Sequence, residues 1–299
     1  MTAVLIDGKA MAEATRERLK SRAEALRAAG SPARLDAVLV EAGDNAARVY
    51  AANQAKACRA LGIDYELHLL EGTPGEGEII GCIDGLNADP GVHAMMIHMP
   101  LPDAADAYRV KESIDPLKDV EGVTPANIGN IVYGRRAWAP CTALATLRLI
   151  EHAGELAGES LTGKRCVVVG AGPIVGRPIA VLLMEREATV VSANKFTQGL
   201  PDLCRSADVL VAAAGVPGLV RREWIKPGAM VIDVGVNRVA GEGGKMRTVG
   251  DVRFDEAREV AGYLSPVPGG VGPMTVATLL EHVVEAGEAA AVSSAGTTA

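Results

Sequence analysis

The chain has 299 residues, 48% of them hydrophobic and 22% charged, a balance that excludes global disorder and can fill a sizeable core. At about 150 residues per domain, the length suggests two domains. A net charge of −7 and an aromatic content of only 3% argue against a nucleic-acid or polyanion binder and against stacking platforms for bases.

Residues 10–29 are predicted to form an amphipathic helix stopped by Gly30, and residues 34–41 a strand. A second helix over 46–61 closes at Gly62, and 63–70 alternates as a strand does. A helix near 77–87 leads to the apolar run 92–99, ended by Pro100 and Pro102. This β/α alternation predicts a mainly parallel sheet covered by helices. The stretch 101–140 is rich in Pro, Gly and Asp, reads as irregular, and has the length of a functional loop. A helix over 142–155 follows, then a strand at 165–169, a helix at 174–186, a strand at 188–192, a short helix near 199–205, and strands at 208–214 and 229–234. The last helix is placed at about 274–290, and the tail is expected to be disordered.

The five cysteines, Cys58, Cys82, Cys141, Cys166 and Cys204, contain no CxxC pair. They read as scattered thiols of a reducing compartment. The five histidines are too scattered to predict a metal site. No signal-peptide pattern opens the sequence, and no apolar run reaches the roughly 18 residues of a membrane span, so a cytoplasmic protein is expected.

One segment carries a cofactor signal. In RCVVVGAGPIVGRPIA, Gly170, Gly172 and Gly176 lie between an apolar strand and a helix. This GxGxxxG spacing provides a tight turn, close backbone approach and helix N–H groups aimed at a pyrophosphate. An acidic residue at the end of the next strand would bond a ribose 2′-hydroxyl and repel a 2′-phosphate. Here the strand ends Ser192-Ala193-Asn194-Lys195 without a carboxylate. NADP is therefore expected over NAD, with NAD possible.

Together the motifs IDGKAMA (6–12), VYAANQAKACRALGI (49–63), MPLP (99–102), KDVEG (118–122), PCT (140–142), VVVGAGPIVGRP (167–178), GAMVIDVGVN (228–237) and PVPGGVGPMTVATLLE (266–281) resemble the methylenetetrahydrofolate dehydrogenase/cyclohydrolase family. The resemblance implies an α/β protein of two domains, with a Rossmann-type doubly wound parallel sheet for the cofactor. An N-terminal α/β folate domain would span 1–139, the NAD(P)-binding domain 140–266, and a C-terminal helix returning to the first domain 267–288, before a disordered tail at 289–299. It further implies a homodimer acting on a tetrahydrofolate derivative. Its reaction is oxidation of 5,10-methylenetetrahydrofolate to the methenyl form, then hydrolysis to 10-formyltetrahydrofolate. Thr142, Gly170, Ala171, Gly172, Pro173, Ile174, Asn194, Lys195, Ala214, Gly215, Val236 and Thr275 would contact the cofactor. Tyr50, Gln54, His98, Glu121, Pro268 and Gly269 would contact the substrate, the first four forming the catalytic set.

The chain departs from the family pattern at the folate site. For Ser-x-x-Tyr-x-x-x-Lys it has Ala47, Tyr50 and Gln54. Lys56 does not replace the lost lysine: at about 100° per residue, position 54 lies 40° around the helix from Tyr50 and position 56 about 240°. Family Gln-Leu-Pro-Leu-Pro begins with His98-Met99 here, Asp-Val-Asp-Gly becomes Asp119-Val120-Glu121-Gly122, and Gly-Arg-Ser becomes Gly170-Ala171-Gly172. The last change removes an arginine that typically contacts the 2′-phosphate.

Hydride transfer needs chiefly proximity and orientation, whereas hydrolysis needs a titrating group to shuttle protons. Gln54 cannot titrate. The dehydrogenase step is thus expected to persist and the cyclohydrolase step to be weak or absent. His98 leaves the full bifunctional reading open, because an imidazole suits general acid/base work; alternatively it orders the pterin. A different reduced-pterin adduct, or a non-catalytic nucleotide sensor, are the remaining alternatives. Glu121 reads as the acceptor for the pterin N–H groups, and Tyr50 as a stacking wall. Lys118 and Asp119 read as a loop ion pair, and Thr275 as either a cofactor donor or a helix cap.

Overall fold

The β/α alternation becomes two parallel sheets in the computed structural model, which describes residues 2–41, 45–135, 138–241 and 245–296. In chain order the elements are β1 (Val4–Leu5), α1 (Gly8–Ala28), β2 (Arg34–Val40), α2 (Asn45–Ala60), β3 (Asp64–Leu70), α3 (Glu76–Ala88), β4 (Ala94–Ile97), α4 (Ala107–Glu112), α5 (Pro125–Val132) and α6 (Cys141–Ala157). They continue as β5 (Arg165–Val169), α7 (Gly176–Met184), β6 (Thr189–Ala193), α8 (Leu200–Arg205), β7 (Val209–Ala212), β8 (Met230–Asp233), β9 (Asn237–Ala240), β10 (Met246–Val249), α9 (Phe254–Arg258), β11 (Tyr263–Leu264) and α10 (Val271–Gly296).

Two compact units result. The N-terminal unit comprises Ala14–Ala139 and Leu279–Ala299, and the central unit Met1–Glu13 and Pro140–Thr278. In the N-terminal unit a parallel sheet runs β3-β2-β4. Central β2 is a nearly continuous apolar run, as a strand covered on both faces must be. On one face Val38, Val40, Met95 and Ile97 pack against Ile79, Ile83 and Leu86 of α3. The Pro- and Gly-rich stretch holds two short helices. Asp106 caps α4 by accepting from Tyr108 N, and Thr124 caps α5 by accepting from Asn127 N with Pro125 in the first turn.

The central unit carries the parallel sheet β1-β11-β8-β7-β5-β6, with the hairpin β9–β10 beside it. Strands β5, β7 and β8 are buried almost throughout, which gives this sheet its core.

The structure moves two ends. Assigned to the first domain by sequence, the N-terminus instead pairs β1 with β11 of the central sheet, through Val4 N to Gly262 O (2.8 Å) and Ile6 N to Leu264 O (3.0 Å). A two-residue strand has no period to read. At the other end α10 starts at Val271 and continues to Gly296, so residues 289–296 are helical rather than disordered. The Ala-rich run EAGEAAAV has high helix propensity, which polarity alone did not reveal. Residues 297–299 lie outside the described residues. Among the described residues no helix is long and apolar enough to cross a membrane.

Candidate functional site

In the N-terminal unit, four of the residues singled out by sequence gather around the C-terminal end of β4. Successive strand side chains point to opposite faces, so Met96 and His98 face α2 while Met95 and Ile97 enter the apolar core. Helix α2 runs antiparallel to β4 across this face. Its Tyr50 therefore meets His98, edge to face at 5.7 Å between ring centroids. One turn later Gln54 meets Met96, with Nε2 donating to Sδ at 2.8 Å. Gln54 is buried and Lys56 exposed, so the helix phase expected from sequence is kept. Ala47 lies half-buried one turn before Tyr50.

Two buried polar atoms here lack protein partners: Gln54 Oε1 and His98 Nε2. Leaving such atoms unpaired costs about 1–3 kcal/mol each, which marks a place for water or for a ligand's polar atoms. Burial lowers the pKa of His98, keeping its imidazole neutral at pH 7. Glu121 retains some exposed surface, but its carboxyl end is enclosed and feels the Ile97 N–H, which favours the carboxylate. Burial, reinforced by the Asp119 charge, pushes its pKa up to about 7, against the pull of Lys111.

The neighbouring loop corrects one expectation: Lys118 and Asp119 are not a loop ion pair. Lys118 Nζ donates to Leu86 O (3.0 Å), Asn87 O (2.7 Å) and Asp89 O (2.8 Å), capping the C-terminus of α3 with positive charge. Buried Asp119 accepts from Gly122 N, Thr124 N and Asn127 Nδ2. Together they fix the loop that carries Glu121. Elsewhere in this unit Asp36, Glu66 and His68 converge within metal-ligating distance. The Arg34 guanidinium already bonds both carboxylates of that cluster, at 2.7–2.8 Å.

The central unit holds a cavity of about 770 Å³ at the C-terminal ends of β5, β6 and β7. Gly170 (φ 110°) ends β5 so close to β7 that a Cβ would strike Ala213 O. A Cβ on Gly176 would strike Gly170 O, whereas one on Gly172 would meet open space. Two glycines thus close the loop and the third leaves room for a ligand at its head. From the sequence-predicted set, Gly170, Ala171, Gly172, Asn194, Lys195 and Ala214 line this cavity. Gly215 is next to it, its N–H fixed by Asp251.

Other predicted positions lie outside the lining: Thr142 in α6, Pro173 and Ile174 in the glycine loop, exposed Val236, and Pro268–Gly269 after β11. Thr275 sits one turn inside α10, where its hydroxyl donates to Val271 O at 3.1 Å, so it does not cap the helix. Arg177, Phe196 and Thr197 line the cavity without having been singled out. For Arg177 the available signal was its place directly after the closing glycine.

Behind the cavity stands a carboxylate frame that sequence reasoning also missed. Fully buried Asp251 accepts from Ala214 N (2.7 Å), Gly215 N (2.8 Å) and Asn237 Nδ2 (2.8 Å). Asp233 accepts from Gly235 N, Asp251 N and Val252 N. Burial raises the Asp233 pKa to about 6, despite those N–H bonds. Both aspartates close off strand ends, a pattern detectable in sequence only when the loops they tie are known.

Residues 6–121 match the tetrahydrofolate dehydrogenase/cyclohydrolase catalytic domain, and residues 140–291 match that family's NAD(P)-binding domain. The chain belongs to this family. It is 44% identical over 286 residues to the bifunctional protein FolD of Moorella thermoacetica, covering 96% of this chain and 99% of the relative. Among solved structures, the bifunctional FolD of Campylobacter jejuni is similar with a TM-score of 0.90 at 38% identity, over 96% of this chain and 99% of that one. The Trypanosoma brucei FolD, solved with NADP cofactor and an inhibitor, has a TM-score of 0.88 at 36% identity, over 97% and 98%. Family membership assigns the glycine-loop cavity to the NAD(P)-binding domain and the β4 cluster to the catalytic domain. Both sites are built from strand C-terminal ends, where parallel sheets present their ligands.

Proposed function

We propose that this chain is an NADP-linked 5,10-methylenetetrahydrofolate dehydrogenase whose cyclohydrolase step is weak or absent. One observation carries the second half: buried Gln54 occupies the α2 position where the family pattern has lysine, and no lysine shares its face. An amide can hold a substrate atom but cannot exchange a proton with it.

The nucleotide cavity fits NADP because the glycine loop leaves open space at Gly172 and the lining offers Lys195 and Arg177 but no carboxylate. Bound NADP supplies the hydride acceptor. Gly170, Ala171, Gly172, Pro173 and Ile174 would present backbone to its pyrophosphate, Asn194 and Lys195 would face the adenosine ribose, and Ala214, Gly215, Val236, Thr142 and Thr275 would complete the contacts. On the folate side, Tyr50 would wall the pterin, Glu121 would accept from its N–H groups, and Gln54 and His98 would offer their unpaired polar atoms. Pro268 and Gly269 would add backbone contacts. The reading includes a cytoplasmic homodimer.

A second reading, the full bifunctional enzyme, is favoured by His98: its Nε2 is buried and unpartnered, and its neutral imidazole can accept a proton.

Turnover of methylenetetrahydrofolate with NADP, followed at the reduced-nicotinamide and methenyl absorbances, separates the two. We expect methenyltetrahydrofolate to accumulate. Gln54→Lys should restore hydrolysis, within the roughly 10²–10⁴-fold that general acid/base help provides. A wild-type protein that hydrolyses the methenyl product as fast as it forms would overturn the proposal. Loss of that hydrolysis in His98→Ala would then establish the second reading.

A further inference from the structure

We infer that Arg177, acting with Lys195, binds the 2′-phosphate of the dinucleotide and takes the part of the family arginine replaced here by Ala171. The inference rests on the nucleotide reading of the central cavity. Arg177 occupies the first turn of α7, where the positive end of the helix dipole disfavours a cation. Four arginines of this unit pair with carboxylates, Arg186 with Glu151, Arg205 with Asp202, Arg222 with Glu259 and Arg253 with Glu256. Arg165, Arg238, Arg247 and Arg258 make no ion pair among the described residues; of the unpaired ones Arg177 is the one that lines the cavity. The Arg177 guanidinium makes no hydrogen bond or ion pair among the described residues, and no carboxylate lines the cavity it faces. A cation placed against a dipole without a counter-charge is poised for an anion from outside the chain.

The backbone explains why this anion is not the pyrophosphate. Gly170 and Gly176 close the loop tightly, and Arg177 N donates back to Gly172 O at 3.0 Å. The glycine loop and the first turn of α7 supply neutral N–H donors suited to the pyrophosphate, which leaves the guanidinium for a second phosphate. Lys195 is held ready on the adjacent wall. Asn194 N bonds Thr197 Oγ1 and Phe196 N bonds Asn194 Oδ1, both at 2.9 Å, and the Lys195 ammonium rests 5.0 Å from the Phe196 ring centroid. A phosphate monoester carries close to two negative charges at pH 7. One point-charge lysine and one forked arginine match it better than either alone.

Calorimetric titration with 2′,5′-ADP, 5′-AMP, NADP and NAD tests this on wild type, Arg177→Ala, Arg177→Lys and Lys195→Ala. For Arg177→Ala we expect about 10- to 100-fold weaker binding of 2′,5′-ADP and NADP, with 5′-AMP and NAD within about twofold. Arg177→Lys should recover part of the loss. Equal weakening of NADP and NAD would overturn the assignment in favour of a pyrophosphate or structural role, and no change for any ligand would overturn it as well. The fragments bind without folate turnover. A protein that selects 2′,5′-ADP through Arg177 yet fails to oxidise methylenetetrahydrofolate would therefore refute the proposed reaction and leave this inference standing.

Discussion

Glu121 should make both stability and folate affinity depend on pH near neutrality, and Glu121→Gln should remove that dependence. Burial first, then Asp119, raises this carboxyl from 4.5 to about 7. An acid whose pKa is higher when folded holds more protons in the native than in the unfolded state across that window. Its contribution to stability is therefore largest at the acid end and declines as pH rises from about 4.5 to about 7. The shift corresponds to an upper limit of about 3 kcal/mol lost above pH 7. Urea unfolding at pH 5 and pH 8 should show Glu121→Gln gaining about 1–3 kcal/mol on the wild type at the higher pH and little at the lower. Asp233, which also titrates in this range but belongs to the central unit, remains in both proteins and cancels in the difference. In the proposed site the ionised carboxylate accepts from the pterin. The KM for methylenetetrahydrofolate should then rise up to tenfold per unit as pH falls below about 7 in the wild type, and stay flat in the variant. Parallel KM profiles in the two proteins would refute the role given to Glu121. Equal stability differences at pH 5 and pH 8 would refute the charge-burial argument beneath it.

Two further substitutions test how the nucleotide cavity is built. Asp251→Asn places an NH₂ group against one of three donors, Ala214 N, Gly215 N or Asn237 Nδ2; stability should fall by about 1.5–3 kcal/mol in denaturant titration, with weaker binding of NADP and NAD alike. Gly176→Ala drives a methyl group into the Gly170 carbonyl oxygen, so the melting temperature should drop by the equivalent of about 1–3 kcal/mol or more in calorimetry, and nucleotide binding should be lost with it.

Much of the fold was legible because parallel strands buried on both faces leave short apolar runs between helices. Strands β2, β5 and β8 follow this rule, and so do the stops at Gly30 and Gly62. The glycine loop was legible too, since Gly170 and Gly176 answer steric demands that only glycine meets. What escaped was structure fixed by distant partners. The β1–β11 pairing involves two residues on each strand, the hairpin β9–β10 has no apolar face to register, and the role of Lys118 depends on three carbonyls some thirty residues upstream. Arg177 escaped for another reason: its meaning lies in the carboxylate it lacks, and an absent partner leaves no mark in a sequence motif.

The departures from the family pattern in the N-terminal unit act as a set because they share one strand end. Gln54 reaches Met96, Tyr50 reaches His98, and the Glu121 carboxyl lies near the backbone between them, where the Ile97 N–H favours its charged form. Three consecutive residues of chain thus tie together an amide, a neutral imidazole and a carboxyl near half protonation. No member of this set carries a fixed positive charge. A lysine in place of Gln54 would enter a buried position and favour its own neutral form, while its charged form would pull Glu121 toward the carboxylate and hold His98 neutral. The single substitution thus adds a titrating group and shifts the protonation of Glu121, while His98 stays neutral. The effects of restoring Lys at 54 and Gln at 98 should consequently not add, because neighbouring residues in one polar network couple energetically.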